Sequence, residues 1–83
     1  MISNGAANEV FEISPRFRHS LEERIARLER DAEQDEAQVA HLENDDHIRR
    51  QWRLVFMQRA EALRMRLFLD RAKTRFPKPM ISL

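Results

Sequence analysis

His19, His41 and His47 are the only imidazoles in the chain, and two of them lie where a metal ligand set would first be sought. His41 and Asp45 stand four residues apart, so a helix would place them on one face, with His47 close by. A metal centre needs three or four converging ligands held in turn by further hydrogen bonds. This group falls instead among Glu43, Asn44, Asp45 and Asp46, where acids suit the start of a helix. There is no cysteine, hence no thiolate ligand, no thiolate nucleophile and no disulfide. Nucleophile-elbow, phosphate-loop and H-E-x-x-H patterns are also missing. The sequence therefore predicts no catalytic residue, no metal and no cofactor: a non-enzymatic protein.

The arginines offer different chemistry. On a helix, Arg50, Arg53, Arg64, Arg71 and Arg75 would share one side, with Met57 and Phe68 between them, and such a stripe can lie along phosphates. The formal net charge of +1 hides opposed halves. Residues 20–46 hold ten acids against three arginines, while residues 47–78 hold ten bases against two acids, Glu61 and Asp70. An acidic half folded alongside weakens the pull on nucleic acid, and halves of opposite sign attract each other within one fold. Nucleic-acid binding through the arginine stripe is thus the alternative function.

Eighty-three residues make one small domain, and a single glycine with 35% charged residues argues against a turn-rich β-sandwich. No apolar run approaches the ~18 residues of a membrane span. A membrane-surface helix would want clean basic flanks, and the acidic half argues against that. Met1-Ile2-Ser3-Asn4 has neither the basic start nor the apolar core of a secretion signal, so a cytoplasmic location is expected.

The positioning elements are two helices. Residues 1–14 read as a mobile arm, in which Val10-Phe11-Glu12-Ile13 is an apolar scrap too short for an independent strand. Ser14-Pro15 supplies an N-cap and a first helical proline, and Ser20-Leu21-Glu22-Glu23 a second start signal; the earlier is favoured because Phe17 lies one turn before Leu21. From there Leu21, Ile25, Leu28, Ala32, Val39 and Leu42 form a heptad seam broken only by Asp35. Asn44-Asp45-Asp46 ends the pattern, Asn44 by tolerating the left-handed conformation and Asp by capping the next helix. The expected fold is all-α: an antiparallel two-helix hairpin over 15–76, with helices at about 15–43 and 46–76 and a turn at about 44–46. The termini are expected to be flexible, with a tail at 77–83 beyond Phe76-Pro77-Lys78-Pro79.

The second helix is apolar on two sides. At ~100° per residue, Ile48, Trp52, Val55, Phe56, Ala60, Leu63 and Leu67 fall on one arc, expected to cover the seam of the first helix, with Arg59 reaching Asp35. A second arc holds Leu54, Ala62, Met65, Leu69, Ala72 and Phe76, extended by Met57 and Phe68. A hairpin has no third element to cover that arc, and contiguous exposed apolar surface marks an interaction site. The predicted contact is anchored by Leu54, Met57, Met65, Phe68 and Leu69, with Arg50, Arg64 and Arg71 at its rim. Its occupant is a protein partner or a second copy, the latter closing a four-helix bundle as a homodimer.

The acidic seam Leu21-Ile25-Leu28-Ala32-Val39-Leu42 and the Arg/Met/Leu/Phe-rich stretch from Ile48 to Phe76 resemble, in size and layout, the small cysteine-free helical antiactivators that switch off LuxR-type quorum-sensing regulators. The resemblance covers about sixty residues and carries no signature motif. It implies sequestration: the module binds a transcriptional activator and blocks its action on DNA.

Overall fold

The computed structural model describes residues 11–74, in the order β1 (Phe11–Ile13), α1 (Pro15–Val39), α2 (Asp45–Arg71) and β2 (Ala72–Thr74). Residues 1–10 of the expected arm, the whole 77–83 tail and Arg75 lie outside the described residues.

Local chemistry sets each boundary. The Ser14 side chain accepts a hydrogen bond from the Phe17 amide at 3.1 Å, and Pro15 follows as the first helical residue, so the earlier start signal prevails. Ser20 lies inside the helix. α1 ends at Val39, four residues short of the expected 43, and a tightened turn follows in which the His41 amide donates to the Gln38 carbonyl and the Leu42 amide to that of Val39. Asn44 is extended (φ −84°, ψ 127°), not left-handed, and it caps α2 rather than closing α1. Its Oδ1 accepts from the amides of Asp46 (2.8 Å) and His47 (3.1 Å), satisfying two donors that a helix start leaves orphaned. Asp45 and Asp46 in the first turn and Arg71 in the last complement the helix dipole.

α2 ends at Arg71, not 76, because Ala72 turns extended (φ −83°, ψ 141°) and its strand finds a partner. Phe11–Ile13 pairs with Ala72–Thr74 in parallel, with Phe11 opposite Ala72 and Ile13 opposite Thr74. Parallel strands need a crossover, and here the entire helical hairpin serves as one. The 11–13 part of the expected mobile arm is therefore docked: Ile13 is only 8% exposed and joins Ile25, Ala62 and Leu69 in the core.

The two helices pack against each other along a heptad seam on both sides. α1 contributes the expected positions, with Ile25 and Ala32 buried and Leu21, Leu28, Asp35 and Val39 half-buried, and Leu42, half-buried in the turn beyond it, extends the row. α2 contributes Ile48, Gln51, Val55, Gln58, Ala62, Met65 and Leu69, continued by Ala72 at the start of β2, in alternating steps of three and four. This corrects the expected packing arc. Val55, Ala62 and Leu69 are buried, whereas Phe56, Leu63 and Leu67 point to solvent. Of the seven residues assigned to that arc, only Ile48 and Val55 lie on the seam.

The seam carries a polar layer towards the turn. The Asp35 carboxylate accepts from Gln58 Nε2 at 2.9 Å and its backbone carbonyl from Gln51 Nε2 at 2.7 Å. Arg59, expected at Asp35, pairs instead with Glu36, and Arg66 makes two bonds to Glu29 at 2.7 and 2.9 Å. The opposed charges of the two halves are thus used in part to join the helices. The Arg66 hydrogen bonds hold the Glu29 carboxyl below the ordinary glutamate value, against a desolvation that raises it, and the guanidinium charge adds to the lowering; Arg66 is raised in return.

Candidate functional site

The described residues bury six apolar side chains, two of them alanines, and leave six large apolar ones exposed: Phe17, Leu54, Phe56, Met57, Leu63 and Leu67. Five of those six project from α2, so this helix is the element with surface to spare. The cause is geometric. At ~100° per residue an α-helix turns one heptad stripe towards a neighbour, and α1 is the only other helix described.

The exposed stripe starts at the turn end. The rings of Trp52 and Phe56 stack at 5.7 Å with 25° between their planes, and with Arg49, Arg53, Met57 and Ala60 they line a shallow apolar groove. Leu63 and Leu67, 55% and 53% exposed, continue it, and Arg64, Leu67, Phe68 and Arg71 line a second hollow further along. On the side next to α1 the stripe is bounded by the engaged Arg59 and Arg66. On the other side stand Arg50, Arg53, Arg64 and Arg71, all exposed. Arg64 is bound to Glu61 at 2.5 Å, whereas Arg50, Arg53 and Arg71 make no ion pair among the described residues. Apolar side chains beside uncommitted guanidiniums suit a surface that is apolar and acidic.

The structure divides the predicted anchors. Leu54 and Met57 are exposed, at 42% and 62%. Leu69 is buried in the core, and Met65 and Phe68 are half-buried against it, Phe68 meeting Phe17 edge-to-face at 6.5 Å. Burial removes Leu69 as a free anchor, whereas the half-buried Met65 and Phe68 also line an apolar hollow with Phe17, Leu21 and Arg64. The rim residues Arg50, Arg64 and Arg71 are accessible, as is Arg53 of the arginine stripe. Sequence reasoning missed Phe56, Leu63 and Leu67 as surface residues, together with the half-buried Trp52, because it placed them in the seam. The signal was there: Ile48, Val55, Ala62 and Leu69 repeat at a strict seven, the mark of a packed seam, with glutamines at two of the three intervening positions.

Among the described residues no group of three or more His, Cys, Asp or Glu is placed to hold a metal, and no helix is long and apolar enough to cross a membrane. Compared with protein families, curated proteins and solved structures, the chain gives no match.

Proposed function

We propose that this chain is a non-enzymatic protein–protein interaction module whose working surface is the outer flank of α2, and that it acts as a small regulator that binds and inhibits a transcriptional activator. The supporting observation is the row Phe56, Met57, Leu63 and Leu67, each more than half exposed on one helix beside uncommitted arginines. Burying what is exposed of those four recovers roughly half of ~1.5–3 kcal/mol each, on the order of 3–6 kcal/mol in all. Association costs ~4–15 kcal/mol, so this surface alone gives weak binding; a partner presenting an equal apolar face doubles the gain. Arg50, Arg53, Arg64 and Arg71 then set orientation and speed of encounter with an acidic partner. Sequestration of a LuxR-type activator is the concrete form, and it comes from the resemblance in size and layout.

The test is co-expression with a LuxR-type activator and a reporter under its promoter. The native chain should silence the reporter, and Phe56→Asp or Leu63→Asp should restore it while helical circular dichroism is unchanged. Repression by both variants at the native level would place the working surface elsewhere, and a reporter the native chain never dims would remove the activator as target. Arg50, Arg53 and Arg71, exposed and without an ion pair among the described residues, favour nucleic-acid binding as the second reading. A duplex-DNA titration at two salt concentrations decides it: a phosphate-binding stripe weakens steeply with salt and with Arg53→Glu/Arg71→Glu.

A further inference from the structure

The outer stripe of α2 has the spacing that receives another helix. Trp52, Phe56, Leu63 and Leu67 follow at steps of four, seven and four, the anchor pattern of a helix laid in a groove. They run over about four turns, or roughly 22 Å. An extended segment would fit this surface badly. The backbone groups of α2 are bonded within the helix, so a strand laid across them would leave its own amides and carbonyls without partners. A helix arrives with those groups already satisfied.

Charge selects the kind of helix. At ~100° per residue, Arg53, Arg64 and Arg71 fall on one line beside the stripe, on the side away from α1, and all three are exposed. Arg64 is held by Glu61 of the same helix, whereas Arg53 and Arg71 make no ion pair among the described residues. On the α1 side the charges are already matched, Arg59 by Glu36 and Arg66 by Glu29. The unmatched charge beside the stripe is therefore positive and lies along one edge. A second copy complements it poorly: its α2 brings the same arginine line, and its α1 exposes one large apolar side chain, Phe17, among the described residues. A broad anionic surface would also meet exposed Asp70, which stands in line with Trp52 at the far end of the stripe. From this we infer that the outer flank of α2 receives an acidic amphipathic α-helix of a partner protein. Its apolar stripe lies on Trp52, Phe56, Leu63 and Leu67, and a row of carboxylates along one edge meets Arg53 and Arg71. The inference rests on the reading of this flank as the working surface and names the element of the partner that fills it.

Trp52, the only tryptophan of the chain, stands in the stripe and reports its occupation. The probe is a synthetic helix of about 18 residues with leucine at the heptad seam, glutamate on both edges and alanine elsewhere. Titrated into the full chain, it should shift Trp52 emission to the blue and saturate. The same peptide with lysine for glutamate should bind about tenfold more weakly or worse, and added salt should narrow the gap. A peptide shuffled to scatter its leucines should not bind. Phe56→Asp and Leu63→Asp should each raise the dissociation constant about tenfold or more with helical circular dichroism unchanged, and Arg53→Glu/Arg71→Glu should turn the preference to the lysine peptide. The inference is overturned if the glutamate and lysine peptides bind alike or if neither moves Trp52 emission. Phosphatidylglycerol vesicles or duplex DNA that shift the emission where the glutamate peptide does not also overturn it, in favour of a broad anionic surface. A mass that doubles with concentration, and that Leu63→Asp returns to 10.0 kDa, overturns it by giving the stripe to a second copy. If Phe56→Asp releases the reporter while the peptides fail, the working surface stands and this inference alone falls. Peptide binding with the expected charge preference, beside a reporter that never dims, removes the activator reading and keeps this one.

Discussion

Replacing the polar layer of the seam should stabilise the hairpin, but only when both partners change. Gln58 donates to the part-buried Asp35 carboxylate at 2.9 Å, while its own Oε1 is buried with no hydrogen-bond partner among the described residues. A hydrogen bond to a charged group contributes about 1.5–3 kcal/mol, and a buried polar atom left unpaired costs about 1–3. Asp35→Leu alone adds apolar volume but strips Gln58 of its acceptor, leaving its whole amide unpaired; the two effects nearly cancel or destabilise by about 1 kcal/mol. Gln58→Leu alone leaves the Asp35 carboxylate in the seam, where partial exposure lets water meet some of the loss. Asp35→Leu/Gln58→Leu removes both liabilities and buries two leucines, for an expected gain of about 1–3 kcal/mol, in line with apolar replacement of buried polar pairs. Thermal melts followed by helical circular dichroism should show a rise of about 4–8 °C per kcal/mol for a chain this size. All variants must be compared at one chain concentration, because a dimer makes the midpoint concentration-dependent. The double variant should lose specificity in exchange, populating helix registers that the Asp35–Gln58 bond now disfavours. A double variant melting below both single variants would refute this account, since it would mean that the polar layer stabilises more than a leucine layer can.

Three further outcomes are expected. Leu69→Ala should destabilise by about 2–4 kcal/mol in urea titrations, whereas Leu67→Ala, two residues away but 53% exposed, should stay within about 0.5 kcal/mol at concentrations where the chain is monomeric; equal effects would refute the assignment of faces. Asn44→Ala should cost about 1 kcal/mol by orphaning the Asp46 and His47 amides, and Asn44→Gly only a few tenths, read from the same titration. For Glu29 the folded carboxyl titrates below the unfolded one, so the contribution of the Arg66 pair is fully present above the ordinary glutamate value of about 4.3 and is lost as pH falls through the lower folded value. Glu29→Gln should flatten that acid limb of the stability curve, and the effect should be modest because the pair is part-exposed.

A thin core and a rich exterior are linked here. Alanines at 32 and 62 and a polar layer at 35, 51 and 58 leave the seam few large apolar contacts, while the aromatic and aliphatic bulk of α2 sits outside it. Such a hairpin gains from any apolar cover of that flank, so stability and partner binding are expected to rise together.

The heptad of α1, the Ser14-Pro15 start and the interruption near Asn44 were legible from residue types alone, because caps and a repeat of seven are local properties. So was the existence of two apolar sides on α2, since periodicity at ~100° per residue counts faces without knowing their neighbours. Which side turns inward was decided by packing. Gln51 and Gln58 look like surface residues until Asp35 supplies their acceptors from the other helix, and Trp52 and Phe56 look like core until the small Ala62 takes the inner position. The strand at Phe11–Ile13 was equally invisible, because three residues cannot hold a strand by themselves. Only the hairpin, by returning Ala72–Thr74 to the chain's beginning, supplies the backbone groups they pair with.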